Sequence, residues 1–336
     1  MSGTPLVNSA LTNPFATGID DSGVALFLNE AWTPSVDILA YVHGSPKASN
    51  NIEVVPFADP TSLPRASVSG APPMRESLSV TSIALQQKFY QTQIGVDRQI
   101  MDYSAALKPT LEAQINSFGS GNYFLSLIEQ EAMKALVVNS TRSNVDGKAV
   151  FATDHPVSTG NPSQVNYQTN STTQSNLSTS TALSAVNLTA TIKKLKQLAT
   201  ANGRAITTKQ ITLWVTPELE TLARHLLQAM YLGFSSTFGS SDSGGSHSNM
   251  FSNYGIKLEV MGNYPVISGS SAATDWYLSS GTIQPFVVKV AQQPILAKLT
   301  SPTDPNLVQT NQYVVDFKTS MVVDVSHHLA MIKCTA

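Results

Sequence analysis

The chain has 336 residues, enough for two domains or for one with elaborations, and its 42% hydrophobic content supports a sizeable core. Asp, Glu, Lys and Arg make up only 12% of it, about half the roughly 25% of an ordinary soluble protein. The net charge of −2 and a pI near 6.3 exclude the electrostatic footprint of a nucleic-acid reader. Its one cysteine excludes an intrachain disulfide framework. The first 18 residues lack the basic start and apolar block of a signal peptide, and no apolar run approaches membrane-helix length. The expected location is a cytoplasm, or something assembled there.

Residues 1–48 mix Gly, Pro, Asn and Ser with isolated apolar groups such as Phe15, Phe27 and Trp32. They read as an extended arm with one short helix near Val24–Trp32, whose aromatics need a docking surface elsewhere. Five prolines follow (Pro56, Pro60, Pro64, Pro72 and Pro73), with Pro46 just before them. Proline lacks the N–H that a central strand requires, so this stretch is expected to be a projecting loop or edge hairpin. Ser77–Val96 then has strand composition.

A helix is expected from about Ser104, interrupted at Gly119 and Gly121 and resuming through Val138. Phe124, Leu125, Ile128, Ala132, Ala135 and Leu136 share one stripe, with Ser126, Gln130 and Lys134 opposite. Glu131 intrudes at the edge of the stripe, where Lys134 is in reach. Pro156–Ile192 carries no Asp, Glu, Lys or Arg, yet is crowded with Ser, Thr, Asn and Gln. A surface without interspersed charge is normally covered by something else, and copies of the same chain are the simplest cover.

A second helix, Ser184–Thr200, points Leu188, Ile192, Leu195 and Ala199 inward and ends before Gly203. Its Lys193, Lys194 and Lys196 form the only basic cluster and read as a solvated face. Ile211–Val215 is a strand, and Thr216-Pro217-Glu218 supplies a cap, a first-turn proline and a first-turn acid for a helix through Leu232. The Gly/Ser-rich 233–255 has no Lys for a phosphate loop and reads as flexible or partner-ordered. From Tyr313 to Met331 the odd positions are apolar except Thr319 and His327. This parity predicts one bent strand, or two joined without changing face, in a half-buried antiparallel sheet.

Candidate chemistry is sparse. Asp324, Ser326 and His328 share a strand face, but alternate residues lie about 6.5–7 Å apart, too far for a nucleophile and its base. His327 and His328 project oppositely and cannot jointly chelate a metal. Asp154-His155 resembles a dyad but has no nucleophile at a recognisable spacing, so a turn-stabilising hydrogen bond is the expected role. Cys334 reads as a small apolar residue. No metal-cluster, GxGxxG or GxSxG pattern occurs. The expectation is therefore no enzyme, no catalytic residue, no cofactor and no metal.

Asp146-Gly147-Lys148-Ala149-Val150-Phe151-Ala152-Thr153-Asp154-His155-Pro156 resembles the DGxxxF…DHP segment of Mu-like phage major head subunits. Leu213–Glu220, with Ala223 and Leu226-Leu227, resembles that family's strand-to-helix step, and Asp275-Trp276-Tyr277-Leu278 its late WYL strand. The specific match covers roughly 140–290.

The resemblance implies an α+β fold of the Hong Kong 97 type, the major capsid protein fold of tailed bacteriophages. Its parts would be an N-terminal arm (1–48), an extended β-hairpin loop (49–88), a peripheral domain (89–189 and 286–336) with a long spine helix and C-terminal sheet, and an axial domain (190–285). It also implies self-assembly into pentamers and hexamers of an icosahedral head shell enclosing double-stranded DNA, without sequence-specific binding or a membrane. A separate scaffolding protein, a portal and a cement or decoration protein would be partners; the long charged scaffolding segment of some members is missing, so that either the scaffold is a separate protein or processing is unnecessary. Assembly would occur in the host cytoplasm. The competing readings are an encapsulin-like compartment shell and a secreted glycan-binding or adhesin domain.

Overall fold

The structure, a computed structural model, describes residues 34–44, 47–48, 52–60, 78–97, 122–138, 144, 146–208, 210–229, 231–233, 246–249, 251, 254–264, 272–299 and 312–335. The expected helix near Val24–Trp32, the first half of the helix from Ser104 and most of the Gly/Ser-rich segment lie outside the described residues. No helix among the described residues is long and apolar enough to cross a membrane.

Two strands frame the Pro-rich stretch. β1 (Ile52–Pro60) and β2 (Leu78–Gln86) pair antiparallel along their full length, Ile52 opposite Gln86 and Pro60 opposite Leu78. Pro56 and Pro60 are tolerated because this is a two-stranded ladder in which every strand is an edge. The strand expected over Ser77–Val96 is divided at Gln87: β3 (Lys88–Asp97) leaves the ladder and joins a different sheet. Ile83 and Leu85 of β2 nevertheless pack on that sheet, against Val287 and Val322.

Helix α1 spans Asn122–Val138. Phe124, Ile128, Ala132 and Leu136 are buried as the stripe predicts, together with Met133. Lys134 meets Glu131 at 2.8 Å, and Lys88 of β3 meets it at 3.2 Å. Ser126, expected outside, is buried. So is Glu129, because more than one layer packs around this helix.

The uncharged tract supplies three two-residue strands, β4 (His155–Pro156), β5 (Thr173–Gln174) and β6 (Leu177–Ser178). α2 (Ala185–Gln197) starts where Ser184 accepts from the Asn187 N–H at 3.2 Å, and Leu188, Ile192 and Leu195 are buried as expected. Gly203 has φ +80, and a side chain there would strike the Val165 carbonyl, so glycine is required. β7 (Ile211–Val215) and α3 (Pro217–Gln228) follow. Thr216 does not cap α3: its hydroxyl donates to the Ala273 carbonyl instead. The helix also ends four residues earlier than expected, because Tyr231–Gly233 forms β8, paired with β9 (Ser246–Ser248).

β10 (Lys257–Val260), β11 (Trp276–Ser280), β12 (Phe286–Leu299), β13 (Gln312–Val325) and β14 (Met331–Cys334) complete the chain. One sheet has the order β10-β7-β11-β14-β6, and another β12-β13-β3. From Phe317 to Val325 the odd-position pattern holds: Phe317, Met321, Val323 and Val325 face α1, while Val322 faces β2. Thr319 is fully buried and donates to the Gln292 carbonyl at 2.9 Å. That region is where the β12/β13 register shifts, beside Pro294. The single half-buried sheet expected to reach Met331 is not what forms. A turn at His327–Ala330 breaks the run, and β14 enters the five-stranded sheet, where both faces are covered.

Period-2 alternation divides the side chains of that sheet between two cores. Leu213, Val215, Trp276, Leu278, Ile332 and Cys334 pack with α2 and α3. Trp214, Tyr277 and Met331 pack with α1 and the β12/β13 face. The layers are helices α2 and α3, a doubly buried sheet, then α1 against a second sheet. Buried apolar area of this kind is the main stabilising term.

Candidate functional site

The DGxxxF…DHP segment is a built structural knot. A turn closes from Asn144 to Lys148, with the Gly147 N–H donating to the Asn144 carbonyl at 2.9 Å. Gly147 has φ +77, the left-handed region that a glycine occupies without strain. The turn aims Asp146 inward, where its Oδ2 lies 2.5 Å from His155 Nδ1. Nε2 of the same ring lies 3.2 Å from the Val150 carbonyl, which can only accept, so an N–H sits there. The expected pairing of Asp154 with His155 does not occur. Asp154 is exposed and pairs with Lys148, while both members of the Asp146–His155 pair have fully buried side chains. Phe151 packs its ring 5.8 Å from Tyr277, attaching the knot to the core.

Three imidazoles are stacked here. The His155 and His328 rings lie 4.2 Å apart at 10°, and His328 and His327 lie 4.2 Å apart at 31°. Asn144 Nδ2 lies 2.9 Å from His328 Nδ1, and the Leu329 N–H donates to His327 Nδ1 at 3.1 Å. Both rings thus accept at Nδ1, which is the neutral form. Burial, with His327 and His155 alongside, pushes His328 well below the ordinary histidine range. Burial pushes His327 down to about 4, against a smaller opposite pull from Asp146. Burial raises the Asp146 carboxyl, but hydrogen bonding and charge from His155 outweigh it and leave Asp146 below the usual carboxylate range.

Asp146, His155 and His328 bring ligand-type atoms within 4.8 Å of one another. The sequence reading missed this group because its members are distant in the chain. The geometry does not suit a metal. An ion bound to imidazole lies in the ring plane about 2 Å from nitrogen, and two stacked, nearly parallel rings share no such point. The Asp324, Ser326, His328 constellation is not assembled either. Ser326 donates to the Gln284 carbonyl, the Val325 N–H donates to Asp324 at 2.7 Å, and His328 belongs to the knot.

The amides of the uncharged tract tie this knot to its surroundings. Asn176 donates to the carbonyls of Val150 at 2.7 Å and His328 at 2.9 Å, and accepts from the Ala152 N–H at 2.9 Å. Gln174 exchanges two hydrogen bonds with the backbone of Ala199, at 3.0 and 2.8 Å. Asn166 donates to the Gln197 carbonyl at 2.6 Å. Part of the missing charge is therefore explained inside the subunit: uncharged amides satisfy irregular buried backbone that charged groups would not.

A second hub is Glu129 of α1, fully buried. It accepts from the Ser35 N–H at 3.1 Å, the Val36 N–H at 3.0 Å, the Ser35 hydroxyl and Asn263 Nδ2 at 2.6 Å. The root of the N-terminal arm is thereby held to α1 and to the turn after β10. The same segment runs beside β12, with the His43 N–H donating to the Phe286 carbonyl at 2.7 Å and Ala48 to Val290 at 2.9 Å. Tyr41 packs edge-on to Trp214 at 4.7 Å. Phe15, Phe27 and Trp32 lie outside the described residues.

The basic cluster divides. Lys194 points inward to Ser175 Oγ at 3.1 Å, the Leu177 carbonyl at 2.8 Å and Ser178 Oγ at 2.9 Å, and burial lowers its pKa. Lys193 and Lys196 line a groove. Cys334 is buried beside Thr191, as a small apolar residue would be.

Residues 79–333 match the model of a family described as phage capsid protein. No curated protein matches the chain. Among solved structures it is similar to the capsid of a native GTA particle at 11% identity, over 100% of this chain and 99% of that one, with a TM-score of 0.53. It is similar to the capsid of Cyanophage P-SCSP1u at 10% identity, over 100% and 95%, with a TM-score of 0.52. For the capsid of an empty GTA particle the identity is 11%, the coverage 90% of each chain and the TM-score 0.50. Identities this low speak for a shared fold alone.

Proposed function

Since the chain belongs to the phage capsid protein family, and is thus a structural protein of the bacteriophage head rather than an enzyme, we propose that it is the major shell subunit and that its copies close into pentamers and hexamers of an icosahedral head enclosing double-stranded DNA. The observation carrying this reading is the family match over 79–333. The four-part division of the Hong Kong 97 type, with arm 1–48, extended loop 49–88, peripheral parts 89–189 and 286–336 and axial part 190–285, belongs to the same proposal. The docked arm root, the β1/β2 ladder and α1 support it. The Mu-like relationship rests on the DGxxxF…DHP segment, in which Asp146 pairs with His155, Lys148 with Asp154, and Phe151 packs on Tyr277.

The mechanism is geometric. Heterologous contacts repeated around an axis close into rings, and a hairpin and an arm reaching across neighbours add contact area without thickening the wall. Many modest contacts then combine as avidity. A wall with little positive charge holds DNA weakly, which suits contents that must leave. A separate scaffold, a portal and a cement protein are the proposed partners, and the host cytoplasm is the proposed site of assembly. Electron microscopy of the purified protein, alone and with its scaffold, tests the reading: closed shells support it, and persistent monomers under both conditions overturn it.

A further inference from the structure

A groove of about 380 Å³ opens beside α2. Ile192 and Phe251, both buried, form an apolar floor, and Lys193, Lys196, Gln168 and Tyr254 form its rim. The rim is cationic. Lys196 Nζ stands 4.6 Å from the centre of the Tyr254 ring, which holds the ammonium over the groove, and among the described residues none lining the groove is a carboxylate. An occupant that fits presents an acid to the rim and an apolar side chain to the floor.

This chain carries such a pair on α3. Glu218 lies exposed in the first turn. Leu222, one turn later on the same face, is a large apolar side chain left 40% exposed. Glu220 is occupied differently, pairing with Arg224 at 2.7 Å. The pair cannot reach the groove of its own subunit. Asn249, two residues before Phe251, donates to the carbonyls of Leu226 and Ala229 at 2.8 Å each, fixing the groove near the C-terminal end of α3. Glu218 is at the opposite end, about 15 Å away along a helix that rises 1.5 Å per residue.

We propose that the groove receives the N-terminal turn of α3 from a second copy of this chain, Glu218 between Lys193 and Lys196 and Leu222 on Ile192 and Phe251. The contact is heterologous, one patch of a subunit against a different patch of its neighbour, and this is the kind that closes into a ring. It rests on the shell reading and names the residues that would make one ring contact. It also gives a task to Lys193 and Lys196, which line the groove while Lys194 turns inward.

The test is charge reversal and its repair. K193E/K196E and E218K are each expected to lower shell yield at least tenfold by sedimentation and electron microscopy, with circular dichroism unchanged, and the three changes together are expected to restore shells. A wild-type protein that never assembles, with or without its scaffold, overturns the shell reading itself. Wild-type assembly with undiminished yield in either reversal overturns the groove contact alone. Loss in both reversals without repair in the triple variant, or loss only on the lysine side, also overturns it, by showing that the groove holds something other than α3.

Discussion

Acid should weaken this subunit through its histidine stack before it titrates Asp146. His327 and His328 are held neutral, each accepting a hydrogen bond at Nδ1, 4.2 Å from one another and with His155 on the far side of His328. Asp146 and His155 face the stack, and His43 also bears on His327. A histidine whose folded pKa is depressed binds its proton more readily when unfolded, so stability rises with pH between the folded and unfolded values and falls on acidification through that window. The unfolded value is near 6.5, and that of folded His327 is about 4. From pH 6.5 to 5 His327 therefore removes about 1.5 kcal/mol, because the slope approaches about 1.4 kcal/mol per pH unit only once the unfolded imidazole is mostly protonated. His328, also lowered, acts in the same direction, against the roughly 5–15 kcal/mol that hold a domain folded. Asp146, whose folded pKa is lowered, keeps its contribution throughout this window and loses it only at more acidic pH.

Urea unfolding followed by the fluorescence of the buried Trp214 and Trp276, repeated between pH 7.5 and 5, measures the effect. His327→Asn and His328→Asn keep an acceptor near Nδ1 but cannot titrate. Each should lose stability at pH 7 from imperfect packing and flatten the slope below pH 6.5 by about one proton. A wild-type slope that survives both substitutions would refute the assignment of acid sensitivity to the stack.

Other perturbations have equally direct readouts. Glu129→Ala strands the N–H groups of Ser35 and Val36 and the Asn263 amide, and should cost about 3 kcal/mol in chemical unfolding. Limited proteolysis should then release the arm root near Ser35 before the rest of the chain is cut. Asn176→Ala leaves the Val150 and His328 carbonyls and the Ala152 N–H without their partner. It should also cost about 3 kcal/mol, with Asn176→Asp no better because a carboxylate would face two carbonyl oxygens. Deleting residues 62–75 spares the β1/β2 ladder. Circular dichroism should be unchanged and stable shells lost; intact shells from that deletion would count against a role for the loop between subunits.

Much of this fold was legible because local pattern and final environment agree. Leu188, Ile192 and Leu195 recur at helical spacing and are buried on α2. Ile211–Val215 is a short apolar run that became a strand buried on both faces, and the strand that the resemblance implies at Trp276–Leu278 forms over Trp276–Ser280. The parity of 317–325 survived because this part of β13 lies between α1 and β2 and presents one parity to each. It failed after Val325, since nothing in alternation announces that the next strand will join another sheet. Thr216 has the chemistry of a cap, but the Ala273 carbonyl, distant in the chain, takes its proton.

The candidate site was less legible for the same reason. Asp154 is the chain neighbour of His155, yet the partner is Asp146, delivered by a glycine turn nine residues earlier. Glu129 could have been found, because its spacing from Leu125 and Ala132 places it on the apolar stripe, where an acid needs donors. The meaning of the low charge changed most. It suggested surface hidden by neighbouring copies, but Asn166, Gln174 and Asn176 show uncharged side chains consumed inside the subunit, and only the remaining exposed polar residues are free to serve contacts between copies.

The central claim is that this chain builds a closed shell from copies of itself. Cryo-electron microscopy of the purified protein incubated with and without its scaffold tests it most directly. The expected result is closed particles whose walls resolve into rings of five and six subunits, with β1 and β2 at contacts between them. A population that stays monomeric under both conditions, although folded by circular dichroism, would contradict it.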